Sequence, residues 1–127
     1  MFIGTITGKD ITEILRMLNL EGEHGGGYIT PANTFIFNDD EGLIGFLTVK
    51  IEKNVPVLLH FVVKRERRSL KTTREMIKET KKFIKNMGFA MFIVPVKKDY
   101  LKRFVEYFAK RKPYAVKDGI SFYLVGV

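Results

Sequence analysis

Residues 57–96 hold the pattern that most constrains this chain. Val57-Leu58-Leu59-His60-Phe61-Val62-Val63 is a short run with apolar residues on both faces, and Phe89-Ala90-Met91-Phe92-Ile93-Val94 is another. A strand of that kind sits in the middle of a sheet covered above and below. Between them, Met76, Ile77, Thr80, Phe83, Ile84 and Met87 recur at helical spacing over roughly 72–87. Thr72 and Glu75 stand in capping-box positions, and Gly88 supplies a left-handed stop. Strand, crossover helix and strand in this order form a right-handed parallel unit.

The turn that leads into this helix is densely cationic. Residues 64–74 carry six Lys and Arg against one Glu. A helix N-terminus already presents unpaired N–H groups and the positive end of the dipole, so cations gathered there need an external reason, and an anionic ligand would supply one. The rest of the chain is divided in the same sense. Residues 1–63 hold four basic and eight acidic side chains, net −4, and residues 64–127 hold eighteen and six, net +12, within a total of +8. Such a division suits a back half that meets phosphates or another polyanion; a lysine-rich solvated surface is the plainer alternative.

A length of 127 residues suits one hydrophobic core, and one domain over residues 1–127 is expected. No apolar run reaches the ~18 residues of a membrane span, so no membrane partner is expected. Met1-Phe2-Ile3-Gly4-Thr5-Ile6 reads as a strand of the fold, without the basic flank and long apolar stretch of a secretory leader. The absence of cysteine excludes disulfides and thiolate metal sites, two histidines make a protein-built transition-metal site improbable, and a cytoplasmic setting fits.

The remaining segments complete an α+β order. After the first strand, Asp10 and Glu13 have capping-box spacing ahead of an apolar stripe of Ile11, Ile14, Leu15 and Leu18. Glu21 to Gly27 is a glycine-rich loop of the kind that borders ligand sites. Thr34 to Phe37 and Leu43 to Glu52 flank a turn, and Lys53 to Pro56 form a second turn before the strand at 57–63. Asp99 can cap a helix that buries Leu101, Phe104, Val105 and Phe108 and ends at Pro113. Asp118-Gly119 supplies the positive φ of a two-residue hairpin turn between the last two strands. The expected architecture is a central mixed, twisted sheet flanked by three main helices.

This order, with a phosphate-suited turn after the fourth strand, resembles the GNAT superfamily of N-acetyltransferases over nearly the whole chain. The basic, glycine-poor turn also looks like that of short GNAT-type proteins of bacteriophages. In the family, that turn carries Arg/Gln-x-x-Gly-x-Gly/Ala, whose backbone amides hold the diphosphate of acetyl-coenzyme A. The matching positions are Arg67, Arg68, Ser69, Leu70, Lys71 and Thr72, with Leu70 in place of the first glycine and Thr72 in place of the small residue. Side-chain bulk at Leu70 opposes close approach of a phosphate, while charge-assisted bonds from Arg67, Arg68 and Lys71 favour it. The resemblance further implies that Phe61, Val62 and Val63 lie along the pantetheine arm, with Val94 and Pro95 on the facing strand.

Acetyl transfer to an amine needs a base for the ammonium proton and an acid for the departing thiolate. The family often places its base on the fourth strand, which makes His60 the candidate; a core histidine satisfied by the backbone is the alternative. The thiolate's acid is commonly a tyrosine on the family's fourth helix, and Tyr107 lies near that place, with packing as its other role. His24 and Glu23 could serve the acceptor side. The function implied is acetyl-CoA-dependent N-acylation of an amine, a polyamine or a protein lysine or N-terminus, drawn by the acidic front half. The alternative is a GNAT-like protein without catalysis that binds nucleic acid through its basic C-terminal half, or a protein partner, in a viral setting for instance.

Overall fold

The sheet is built from hairpins joined to one parallel crossover. The computed structural model describes residues 1–22 and 29–127, apart from the side chain of Tyr100. Seven strands, β1 (Phe2–Thr5), β2 (Thr34–Asp39), β3 (Gly42–Glu52), β4 (Val55–Val63), β5 (Met91–Val96), β6 (Ala115–Lys117) and β7 (Ile120–Gly126), hydrogen-bond in the order β1-β2-β3-β4-β5-β7-β6. Among the described residues the α-helices are α1 (Gly8–Leu20), α2 (Leu70–Asn86) and α3 (Asp99–Ala109). The expected α+β order and mixed sheet are therefore present, with β4 parallel to β5 at Val57 opposite Ile93. Internal contacts group the chain into two units, residues 1–49 with 60–80, and residues 50–59 with 81–127.

In the first unit, α1 covers one face of the hairpin strands. Ile14, Met17 and Leu18 bury against Ile6, Ile36, Phe46 and Val62, each such side chain contributing about 1.5–3 kcal/mol of transfer free energy. The helix is capped by Thr7 with Asp10 as the reciprocal partner, the Thr7 backbone N–H donating to the Asp10 carboxylate at 2.7 Å. The box thus lies three residues before the Asp10–Glu13 pairing read from sequence. Met17 rather than Leu15 completes the stripe, and Leu15 is exposed.

The opposite face of the same strands meets α2. In β2, Phe37 opposes Gly45 and Asn38 opposes Leu43, so Ile44 is the extra residue of a β-bulge in β3. A side chain at Gly45 would overlap the Val62 carbonyl oxygen and press on the Met76 thioether, with a Cβ 3.2 Å from Sδ and 3.0 Å from Cε. Glycine therefore permits β4 and α2 to approach here. The helix starts at Leu70, two residues earlier than the pattern suggests, because Ser69 rather than Thr72 caps it, its Oγ accepting the Thr72 N–H at 3.0 Å. Met76 and Thr80 are fully buried, whereas Met87, at the far end of the stripe, is exposed.

The second unit is the antiparallel pairing of β5 with β7, edged by β6 and covered by α3. β5 begins at Met91 and runs to Val96, displaced two residues from the apolar run at 89–94 because Gly88 (φ 94°) and Phe89 still close α2. Asp118 and Gly119 take φ of 54° and 78°, the two-residue turn expected of that pair. α3 is preceded by Lys98, with Asp99 inside its first turn, and it ends at Ala109 on a left-handed Lys110 rather than at Pro113.

Candidate functional site

The end of β4 delivers the chain into a single 3₁₀ turn, Arg65–Arg67, and then into α2. The Arg67 N–H donates to the Lys64 carbonyl at 2.9 Å, the Arg68 N–H to that of Arg65 at 3.2 Å, and the Thr72 N–H to Ser69 Oγ. The backbone N–H groups of Ser69, Leu70 and Lys71 are left without a partner among the described residues. They are successive donors at the positive end of a 17-residue helix, a general anion-holding arrangement. The Leu70 side chain is 57% exposed, and the Ser69 and Thr72 hydroxyls lie 3.0 Å apart.

The cations of this turn are largely satisfied from within. Arg68 and Arg65 both bond to Glu21 Oε1, at 2.7 and 3.2 Å; Arg67 pairs with Asp39; and Lys64 lies 3.3 Å from Glu13. Arg65 also donates to the Leu20 carbonyl and Arg68 to the Val63 carbonyl. The sequence expectation that this turn requires an external anion is corrected here, since carboxylates of the acidic front half supply the compensation. Lys71 and Arg74 are exposed and form no ion pair with a described residue.

The acids respond as close cations require. Burial alone would raise the Glu21 carboxyl, but bonds from Arg68 and Arg65 outweigh it and hold it below the ordinary value. Asp39 is lowered chiefly by Arg67, whose own guanidinium is raised in return. Glu13 is lowered chiefly by Arg16, with Lys64 adding to it. One Arg67 nitrogen, Nη1, is buried without a hydrogen-bond partner. A crevice beside the turn, lined by Glu21, Val62, Val63 and Arg65 among others, measures about 10 Å³, room for roughly one water.

On β4, His60 is 9% exposed and its Nδ1 lies 2.8 Å from the Thr48 hydroxyl on β3. Its ring stands 6.4 Å from that of Phe46, on the α1 face of the sheet, where Val62 is part of the core. Phe61 is half-buried and Val63 buried. Tyr107, in the second unit, is 68% exposed on α3 and packs edge-on against Phe108. Val94 and Pro95 pair with Tyr123 and Phe122 of β7. His24 and Glu23 lie outside the described residues.

Two constellations escaped the sequence pattern. Thr48 is separated from His60 by a whole hairpin, and only strand register brings them together. The Tyr123 hydroxyl, on a fully buried side chain, donates to Glu106 Oε2 at 2.8 Å, while Lys112 bonds Oε1 at 2.8 Å. Burial, reinforced by the Glu106 carboxylate, pushes Tyr123 up to about 12, and Lys112 followed by Tyr123 lowers Glu106. The uneven distribution of charge was the one sequence signal that could have indicated the internal pairing around Glu21.

No protein-family model matches the chain, and no curated protein matches it. Solved structures do. An aminoglycoside 6′-acetyltransferase type Ii superposes with a TM-score of 0.74 at 16% identity, covering 98% of this chain and 95% of that one. A GNAT-family acetyltransferase of Listeria monocytogenes gives 0.73 at 12% identity over 99% and 94%. The PaiA N-acetyltransferase of Thermoplasma acidophilum, solved with coenzyme A, gives 0.70 at 18% identity over 99% and 98%. Strand order, parallel crossover and whole-length superposition agree: this chain has the GNAT acetyltransferase fold.

Proposed function

We propose that the protein is an acetyl-CoA-dependent N-acyltransferase acting on an amine. The observation that carries this reading is the row of unpartnered N–H groups at Ser69, Leu70 and Lys71, opening α2 directly after β4 in a GNAT fold. They hold the cofactor's diphosphate, with Lys71 and the Ser69 and Thr72 hydroxyls beside it, while the backbone of Phe61 to Val63 follows the pantetheine arm. Leu70 is exposed and not part of the core, so its side chain is free to yield to a phosphate.

His60 accepts the ammonium proton of the amine, and Thr48 fixes its ring. The freed amine lone pair attacks the thioester carbonyl; as the carbon–sulfur bond breaks, the nitrogen gives up its second proton to water and the departing thiolate takes one from water, giving amide and coenzyme A, while His60 returns its proton to solvent. Tyr107 has no step in this scheme because its exposed hydroxyl offers the thiolate little beyond bulk water. The acceptor proposed is a polyamine or a protein amine, a cation that suits the net charge of −4 on residues 1–63, although Glu13, Glu21 and Asp39 are already paired with the basic turn.

Isothermal titration of the folded protein with acetyl-CoA is the deciding experiment; no heat of binding at millimolar cofactor removes the reading. With an accepted amine in hand, His60→Gln is expected to lower turnover about 10²–10⁴-fold while cofactor affinity is kept.

A second reading, a GNAT-fold binding protein without turnover, is favoured by the occupation of Arg65, Arg67 and Arg68 by internal carboxylates. Cofactor binding without acetylation of any amine would select it. The cationic back half then directs attention to nucleic acid.

A further inference from the structure

The end of α3 carries cations that nothing in its own unit neutralises. Arg103, Glu106, Tyr107, Lys110, Arg111 and Lys112 line an open groove of about 410 Å³. Glu106 is already committed, one carboxylate oxygen to Lys112 and the other to the Tyr123 hydroxyl. Arg103, Lys110 and Arg111 are exposed and form no ion pair with any described residue. Cations at a helix C-terminus gain from the dipole, but only by about 0.3–1 kcal/mol and only within the last turn. That does not account for the backbone at Lys110, which closes the helix at φ 54°, ψ 36°, a conformation that glycine ordinarily supplies. A long cationic side chain thus stands where the local backbone favours glycine.

Tyr107 lines this groove, between Arg103 and Lys110 along the chain, with its ring largely in water. Unpaired cations on both sides of an exposed aromatic ring match a chain that alternates phosphates with flat bases. We infer that the α3 groove binds single-stranded nucleic acid, with Arg103, Lys110 and Arg111 on consecutive phosphates and a base stacked on Tyr107. The binding is electrostatic and indifferent to sequence, because each base offers a stacking face. It is independent of the acyltransfer reading, which rests on residues of the first unit.

Fluorescence anisotropy of the full chain with a labelled oligodeoxythymidylate tests it. Saturable binding is expected at low salt, with log K falling against log salt at a slope of about −2 for three phosphate contacts to a single strand. Lys110→Gly removes a cation while relieving its left-handed backbone, so the fold is kept and affinity is expected to fall several-fold. Tyr107→Ala is expected to cost roughly 5-fold to 100-fold for the oligonucleotide, the range of one lost base stack, and to leave binding of base-free inorganic polyphosphate unchanged. Arg74→Gln with Lys78→Gln, two exposed cations outside the groove, is expected to leave the affinity within about two-fold at about 0.15 M salt, where exposed charges are screened beyond roughly 8 Å. Absence of binding at low salt overturns the inference, as does equal loss of oligonucleotide and polyphosphate in Tyr107→Ala. Loss that follows the Arg74 and Lys78 substitutions instead overturns it too.

Discussion

At Gly45 a single methyl group decides whether β3 can carry its bulge against β4. An alanine Cβ would overlap the Val62 carbonyl, which belongs to backbone and cannot swing aside, and would crowd the Met76 thioether, which can. Gly45→Ala is expected to destabilise the protein by about 1–3 kcal/mol, the usual cost of overpacking, as read from the urea midpoint. A change below a few tenths would mean that the bulge tolerates a side chain. Glu21 poses a question of sign. It is the shared partner of Arg65 and Arg68 and is itself only 18% exposed, so Glu21→Gln removes two charge-assisted bonds and is expected to cost about 1 kcal/mol of stability. The same change frees two guanidiniums beside the start of α2, so coenzyme A is expected to bind several-fold tighter at low salt. Weaker binding would show that Glu21 orients the arginines for the cofactor instead of competing with it.

At the scale of elements, helix starts separate what local pattern determines from what geometry selects. Sequence marks a capped N-terminus near residue 72, and the helix is there, but Ser69 supplies the capping hydroxyl. Ser69, Thr72 and Thr73 all carry hydroxyls, and the choice among them depends on where the chain leaves the 3₁₀ turn: Arg68 is extended there, and Ser69 comes next. Ser69→Ala is therefore expected to cost about 1 kcal/mol and Thr72→Ala clearly less, in parallel thermal melts. A larger loss for Thr72→Ala would return the cap to Thr72. The same selection shifts the α1 box from Asp10–Glu13 to Thr7–Asp10. The Asp118-Gly119 hairpin and the Gly88 stop were legible without a structure because a positive φ restricts the residue locally, whatever surrounds it.

For the molecule as a whole, the acids bound to basic partners set its response to pH. Glu13, Glu21, Asp39 and Glu106 all have folded values below their ordinary ones. The stability they contribute is present above the ordinary carboxyl values of 4.5 and 3.8 and is lost as pH falls through their lower folded values. Tyr123 acts at the other end. Its folded value is raised from 10.0 to about 12, so its contribution is complete below pH 10 and disappears as pH climbs through about 12. Urea midpoints across the pH range are expected to show a plateau with losses on both flanks, and Tyr123→Phe should reduce the alkaline loss and, by removing one of the two bonds that lower Glu106, trim the acid loss only slightly. An alkaline flank unchanged by that substitution would place the cause in other groups.

The chain's own sequence determined its element order, its parallel crossover, its hairpin turns and the place of the anion-suited helix start. Each follows from period, turn chemistry or capping residues within a few positions of one another. Tertiary structure alone decided the partners. Arg67 reaches Asp39 across 28 residues, Arg65 reaches Glu21 across 44, and Arg68 reaches it across 47. Thr48 meets His60 through strand register, and Tyr123 meets Glu106 where α3 covers β7. A cluster of cations shows that counter-charge is needed, but whether a ligand or another segment of the chain supplies it depends on which carboxylates the sheet brings within hydrogen-bond reach. Contact over that separation is a property of register and packing, which no local run of residues contains.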